Sequence, residues 1–136
     1  MEYKKINGEE ILNCITAMCE NEKIFGGHFQ GIGACGEVAL STYLPEKKDF
    51  TMHSFSGMLE MTSLLGNVTK NLDDKISLHA HANFSYLNGD NIIVIGGHLK
   101  SAVVSYTAEI ILRPANEIIS QRFDIVDSVG VWNFQR

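Results

Sequence analysis

The sequence predicts an α+β fold: one compact domain, mostly antiparallel β-sheet, with an N-terminal helix packed on it. Three observations lead there. Apolar residues recur at helical spacing only near the start, in Ile11, Leu12, Ile15, Met18 and Cys19. After Gly26-Gly27 nearly everything reads as short apolar or alternating runs broken by turn residues. Finally, 136 residues with 45% hydrophobic and 20% charged side chains suffice for one genuine core and leave little room for a second, so residues 1–136 are read as a single domain.

Taken in order, residues 3–6 form a short apolar-flanked strand, and residues 8–22 form the helix. Asn7 stands at its cap with Glu10 three positions later, the arrangement in which two side chains satisfy the first backbone N–H groups. Strands follow at 27–34, 38–43, 50–65, 76–86, 92–100 and 102–112, with a weaker one at 118–123. Pro45, Gly66-Asn67, Asp73-Asp74 and Asn88-Gly89 separate the apolar runs. No repeat, low-complexity stretch or linker interrupts the pattern.

Within the strand at 76–86, side chains alternate between faces. Ile76, Leu78, Ala80, Ala82 and Phe84 take one face, while Ser77, His79, His81, Asn83 and Ser85 take the other, so the two histidines project together. A hairpin turned at Asn88-Gly89-Asp90 returns the next strand, and with it Gly96-Gly97-His98-Leu99, toward the pair. His79, His81 and His98 are therefore candidate metal ligands. Neutral imidazole suits zinc, copper, iron or nickel, and three ligands leave a fourth coordination position open. Glu60 and Glu109, both on strands, are candidates to orient a ligand histidine or to act as a base on metal-bound water, with Asn83 and Ser77 as hydrogen-bond donors. His28 and His53 have no partner at ligand spacing and read as ordinary histidines.

Gly31-Ile32-Gly33-Ala34-Cys35-Gly36 spells G-x-G-x-x-G, but a dinucleotide site needs a helix to open inside the motif, and residues 37–43 look like strand. A tight turn or bulged strand, where missing side chains let backbone pass close to a neighbour, accounts for it better. Eleven basic against sixteen acidic residues give a net charge of −5, with no basic cluster beyond Lys4-Lys5 and Lys47-Lys48, which disfavours nucleic-acid binding. Cys14, Cys19 and Cys35 contain no Cys-x-x-Cys and are expected to be reduced thiols. The charged first residues, and the lack of an apolar run near the ~20 residues that span a bilayer, predict neither signal peptide nor membrane span and a cytoplasmic setting. The two Asn-x-Ser/Thr sequons, at Asn67 and Asn83, then carry no meaning.

Six segments, in order, resemble one family. They are Gly8-Glu9-Glu10-Ile11-Leu12, Gly31-Ile32-Gly33-Ala34, the run from Leu59 to Asn67, His79-Ala80-His81-Ala82, Gly96-Gly97-His98-Leu99 and Thr107-Ala108-Glu109-Ile110. Together they are similar to the PPC domain, shared by plants and prokaryotes, and labelled in bacteria as DNA-binding with a PD1-like motif. The resemblance implies an antiparallel α+β domain, assembly as a homotrimer and, in bacterial members, a metal, zinc foremost, on the three histidines. It does not imply DNA binding here. In plants that label goes with a separate basic AT-hook, whereas this chain lacks an Arg-Gly-Arg core and its Arg113, Arg122 and Arg136 lie far apart. Three copies would carry three times −5, or −15. Three functions stay open: a trimeric metal-binding module for a small ligand or protein partner, a metal-dependent enzyme, and a DNA-associated regulator.

Overall fold

The computed structural model describes residues 8–134, so the expected strand at 3–6 and the Asn7 cap lie outside the described residues. Helix α1 (Ile11–Glu22) starts later than its pattern suggests because the residues before it are used elsewhere. Gly8 donates to the Val104 carbonyl (2.7 Å) and Val104 N–H donates to Glu9 O (2.9 Å), which ties the entry segment to a strand. Glu10 is the cap: its carboxylate accepts from Leu12 N–H and Asn13 N–H, and also from Ala102 N–H at 2.9 Å. One side chain thus satisfies helix donors and anchors α1 to the sheet. Ile11, Ile15 and Cys19 are buried along the predicted stripe, with Leu12 and Met18 half-buried beside them. The helix ends at Lys23 in the left-handed conformation (φ 55°), and Ile24 N–H returns to Cys19 O.

Among the described residues eight strands follow: β1 (Gly27–Ser41), β2 (Tyr43–Leu44), β3 (Asp49–Phe50), β4 (His53–Lys70), β5 (Ile76–Asn88), β6 (Asn91–Pro114), β7 (Gln121–Asp124) and β8 (Val129–Trp132). The four long ones close into an antiparallel barrel in the order β1-β4-β5-β6, with β6 returning to β1. Closure removes exposed edges from the main sheet. Strands β2–β3 and β7–β8 form two small hairpins beside it. Helix α1 packs on β5 and β6.

Two pairs of predicted strands prove to be single strands. The runs at 27–34 and 38–43 are both β1, and those at 92–100 and 102–112 are both β6. Bulges explain the apparent breaks, because a register shift lets a strand continue while its inward-facing phase changes. In β6 the buried positions step from Leu99 to Ala102, an odd interval, where the β1–β6 register shifts at Ala39/Leu40. A further shift between Gly33 and Cys35 of β1 turns Tyr106, expected on the apolar face, 63% out to solvent. The G-x-G-x-x-G lies inside β1 as a bulged strand. A Cβ on Gly31 would stand 2.6 Å from Glu109 O, and one on Gly33 would collide with Thr107 O. The predicted run at 50–65 instead divides between β3 and β4, and the weak C-terminal run becomes β7, hydrogen-bonded to a β8 that the pattern did not reveal.

The core fills the barrel with Phe29, Leu59, Met61, Leu64, Val68, Phe84 and Val104, and joins the helix stripe. Cys19 and Cys35 are buried within it, and burial, then a nearby glutamate, pushes each thiol up to about 11, so both stay protonated and unreactive. Leu78, expected in the core, is only half-buried and packs against its margin. The phenyl ring of Phe29 lies directly over Gly66, where any Cβ would overlap it. Gly66→Ala is therefore expected to displace the ring and cost ~1–3 kcal/mol, read as a lower urea midpoint with unchanged slope.

Candidate metal centre

Alternation along β5 sends Ala80, Ala82 and Phe84 into the barrel and leaves His79 and His81 outside. The turn expected at 88–91 is present: Asn88 pairs with Asn91, Gly89 has φ 62°, and Leu87 faces Ile92. Counting back along this hairpin brings His98 directly opposite His81, on the last rung of the β5–β6 ladder. Beyond it β6 continues along β1, with His98 across from Ser41. The three rings form a near-equilateral triangle, their centroids 5.2 Å (His79–His81), 5.0 Å (His79–His98) and 5.3 Å (His81–His98) apart.

One ring nitrogen from each histidine lies within 4.8 Å of the other two, and among the described residues no other group of histidine, cysteine or carboxylate side chains is arranged to hold a metal. His79 Nε2 and His81 Nε2 are 3.3 Å apart. Two nitrogens held ~2.05 Å from a tetrahedral ion stand about 3.3 Å from each other, so this pair already has the spacing of two sites of such an ion. The donor set fits a borderline-soft divalent metal. His98 is lowered to about 4, by burial first and then by the charges of His79, Lys100 and His81. His79 is lowered in the same way, by burial, His81 and Lys100. Both rings are therefore neutral near pH 7, with lone pairs available to a metal.

A pH dependence follows for the metal-free chain. An unperturbed histidine protonates near 6.5, whereas folded His98 resists protonation until about 4. Within that window the unfolded chain binds a proton that the folded chain does not, so this contribution is complete above pH 6.5 and is lost as pH falls toward 4. Urea midpoints of the metal-free protein should drop between pH 7 and pH 5, and His98→Gln should flatten that drop.

The triangle forms part of the floor of a cavity of about 780 Å³. One wall is the β2–β3 hairpin, with Tyr43 and Phe50 in ring contact at 5.2 Å and Phe50 lying 5.4 Å from the His98 ring. The β7–β8 hairpin contributes Val129, Val131 and Trp132 to the lining. Tyr43 OH donates to Asp127 O at 3.0 Å and so links the two hairpins. Gln121 Nε2 donates to Thr69 Oγ1 at 2.7 Å and to Ser77 Oγ at 3.4 Å, which fastens β7 to the barrel. Apart from the three histidines, the lining holds no ionisable aspartate, glutamate, lysine or arginine among the described residues.

Other predicted participants lie elsewhere. Glu60 and Glu109 flank β1 from its two sides, paired with Ala34 and Ile32, and share a separate groove of about 510 Å³ with Met58 and Tyr106. In the single chain they and the three histidines line different cavities. Asn83 Nδ2 donates to Ser63 Oγ at 3.3 Å, and the Asn83 amide occupies the space a side chain on Gly96 would need, which explains the first glycine of Gly96-Gly97. His28, read as ordinary, lines a second cavity with Asn67, His79 and His81, outside the triangle. The aromatic walls were missed: β2 and β3 are two residues each, too short for a periodic signal, although the only tryptophan of the chain, in Val129-Gly130-Val131-Trp132, offered a hint.

Fold and site together define an antiparallel-barrel α+β domain with a three-imidazole centre beside an aromatic cavity. The sequence matches the Plants and Prokaryotes Conserved (PCC) domain over residues 6–116, and the chain belongs to that family. Among solved structures it is similar to a protein from Bacteroides thetaiotaomicron named as a candidate DNA-binding protein, at 26% identity and a TM-score of 0.87, with 100% of this chain and 98% of that one covered. A plant- and prokaryote-conserved (PPC) protein from Pyrococcus horikoshii is 28% identical with a TM-score of 0.82, over 100% and 95% of the two chains. A protein from Archaeoglobus fulgidus named as metal-containing is 27% identical with a TM-score of 0.82, over 98% and 96%. No curated protein matches the chain.

Proposed function

We infer that this protein is a homotrimeric zinc-binding module whose three-histidine centre, open at a fourth position, takes a small ligand or protein partner. The observation that carries the metal is the 3.3 Å separation of the His79 and His81 Nε2 atoms, with a His98 ring nitrogen within 4.8 Å of both. The metal-containing relative from Archaeoglobus fulgidus supports the same reading. When bound, zinc would supply a Lewis-acidic position for an oxygen or nitrogen donor. A binding role is favoured over hydrolysis because no carboxylate lines the histidine cavity to deprotonate a metal-bound water. Trimer formation is supported by outward apolar side chains such as Ile32, Leu65, Leu87, Ile92 and Val94, each more than half exposed on the single chain.

Light scattering tests the assembly: three chains of 15.1 kDa each are expected, and a monomer mass contradicts it. Equilibrium dialysis against zinc tests the centre, with one ion per chain expected and none contradicting it. A DNA-associated role is disfavoured by the net charge of −5. No appreciable duplex binding is expected at physiological salt, measured by fluorescence anisotropy across a salt series. Among the described residues no helix is long and apolar enough to cross a membrane. A cytoplasmic setting is supported by buried Cys19 and Cys35 thiols held outside any disulfide.

A further inference from the structure

Three features of the 780 Å³ cavity point to one class of ligand. Its lining includes the aromatic rings of Phe50, Tyr43 and Trp132, a surface suited to a flat apolar body. Its charge is one-sided. In a chain of net charge −5, no acidic side chain lines the cavity, while Lys100 holds its Nζ 5.0 Å from the Phe50 ring, close enough for its charge to act on His79 and His98. A divalent metal on the histidines adds positive charge at the floor. Ser41, opposite His98 on the ladder, is 1% exposed, lines the cavity, and its Oγ has no hydrogen-bond partner among the described residues. A buried hydroxyl left unpaired is costly, and an oxygen acceptor in the cavity would satisfy it.

We propose that the cavity binds a small carboxylate with a flat apolar body, its carboxylate on the metal between Lys100 and the Ser41 hydroxyl and its body between Phe50 and Trp132. This rests on the metal reading above, which supplies the coordination position. A cationic ligand would meet Lys100 beside the cavity, and the metal when bound, with no acid among the described lining residues to offset them, and a purely apolar one would leave Ser41 Oγ unpaired.

Trp132, as the sole tryptophan, reports occupancy by its fluorescence. Zinc-loaded and metal-free protein, each with zinc counted by elemental analysis, would be titrated with benzoate and with benzylamine. Benzoate should give a saturable change on loaded protein, about tenfold weaker without metal and about tenfold weaker in Lys100→Gln, with a smaller loss in Ser41→Ala. Benzylamine should give none in the same range. Lys100 is exposed, so its variant is expected to fold, and far-ultraviolet circular dichroism checks that it does. Protein that carries one zinc and shows no saturable benzoate response, or that binds benzoate equally with Lys100→Gln, or that binds benzylamine as well as benzoate, overturns this proposal and leaves the metal centre standing. A zinc count of zero fails the metal centre itself, and this proposal with it.

Discussion

Phe84→Ala is expected to destabilise the chain by ~3–5 kcal/mol, enough to leave much of a domain this size unfolded at 37 °C. Phe84 is fully buried, sits mid-way along β5 opposite Met61 and Ile95, and fills the centre of the barrel that β5 closes with β4 and β6. Truncating it removes the transfer energy of a phenyl ring and leaves a cavity whose walls are four mutually hydrogen-bonded strands, which cannot collapse inward far. Leu78→Ala, on the same face but only half-buried at the core margin, should cost clearly less, ~2 kcal/mol or below. Urea denaturation of the three proteins measures the difference, and equal midpoints for Phe84→Ala and the native chain would contradict the placement of the core.

The second large effect lies on the other face of the same strand. A His79→Ala/His81→Ala double variant should keep the fold and lose zinc affinity by at least ~100-fold, since removing two of three imidazoles leaves a single protein ligand. Both side chains are exposed and neither packs against the core, so the urea midpoint of the metal-free variant should stay near that of the metal-free native chain. Loss of fold together with loss of metal would mean that the histidines carry structure, contrary to their position outside the barrel. Together the Phe84 and histidine variants separate the two faces of β5, one holding the molecule together and one holding the metal.

Much of this follows from alternation alone. A period of two placed Ala80, Ala82 and Phe84 inward and His79 and His81 outward, and one Asn88-Gly89 turn carried His98 back to them, so the triangle was predictable from residues 77–98. The glycines at 31–36 hinted at a bulged strand, but not that the strand runs on through it, because a register shift adds a residue without a distinctive composition. Each of the misread breaks, at residues 35–37 in β1 and at residues 100–101 in β6, coincides with such a shift. The same blindness misplaced Tyr106, expected inward and found exposed. Hidden too were the cavity walls, because Phe50 and Trp132 meet only through two short hairpins joined by the Tyr43–Asp127 hydrogen bond, a contact between residues far apart in the chain. Closure into a barrel also lies beyond periodicity, since pairing of the first long strand with the last is a non-local choice.

A metal held by the imidazoles of His79, His81 and His98 is the central proposal for this molecule. Protein purified without a histidine tag or chelator, then dialysed against zinc, should contain about one zinc per chain, and X-ray absorption should show imidazole scattering with four nitrogen or oxygen donors ~2.0–2.1 Å from the ion. A zinc content near zero after dialysis, or a coordination shell without imidazole scattering, would contradict it.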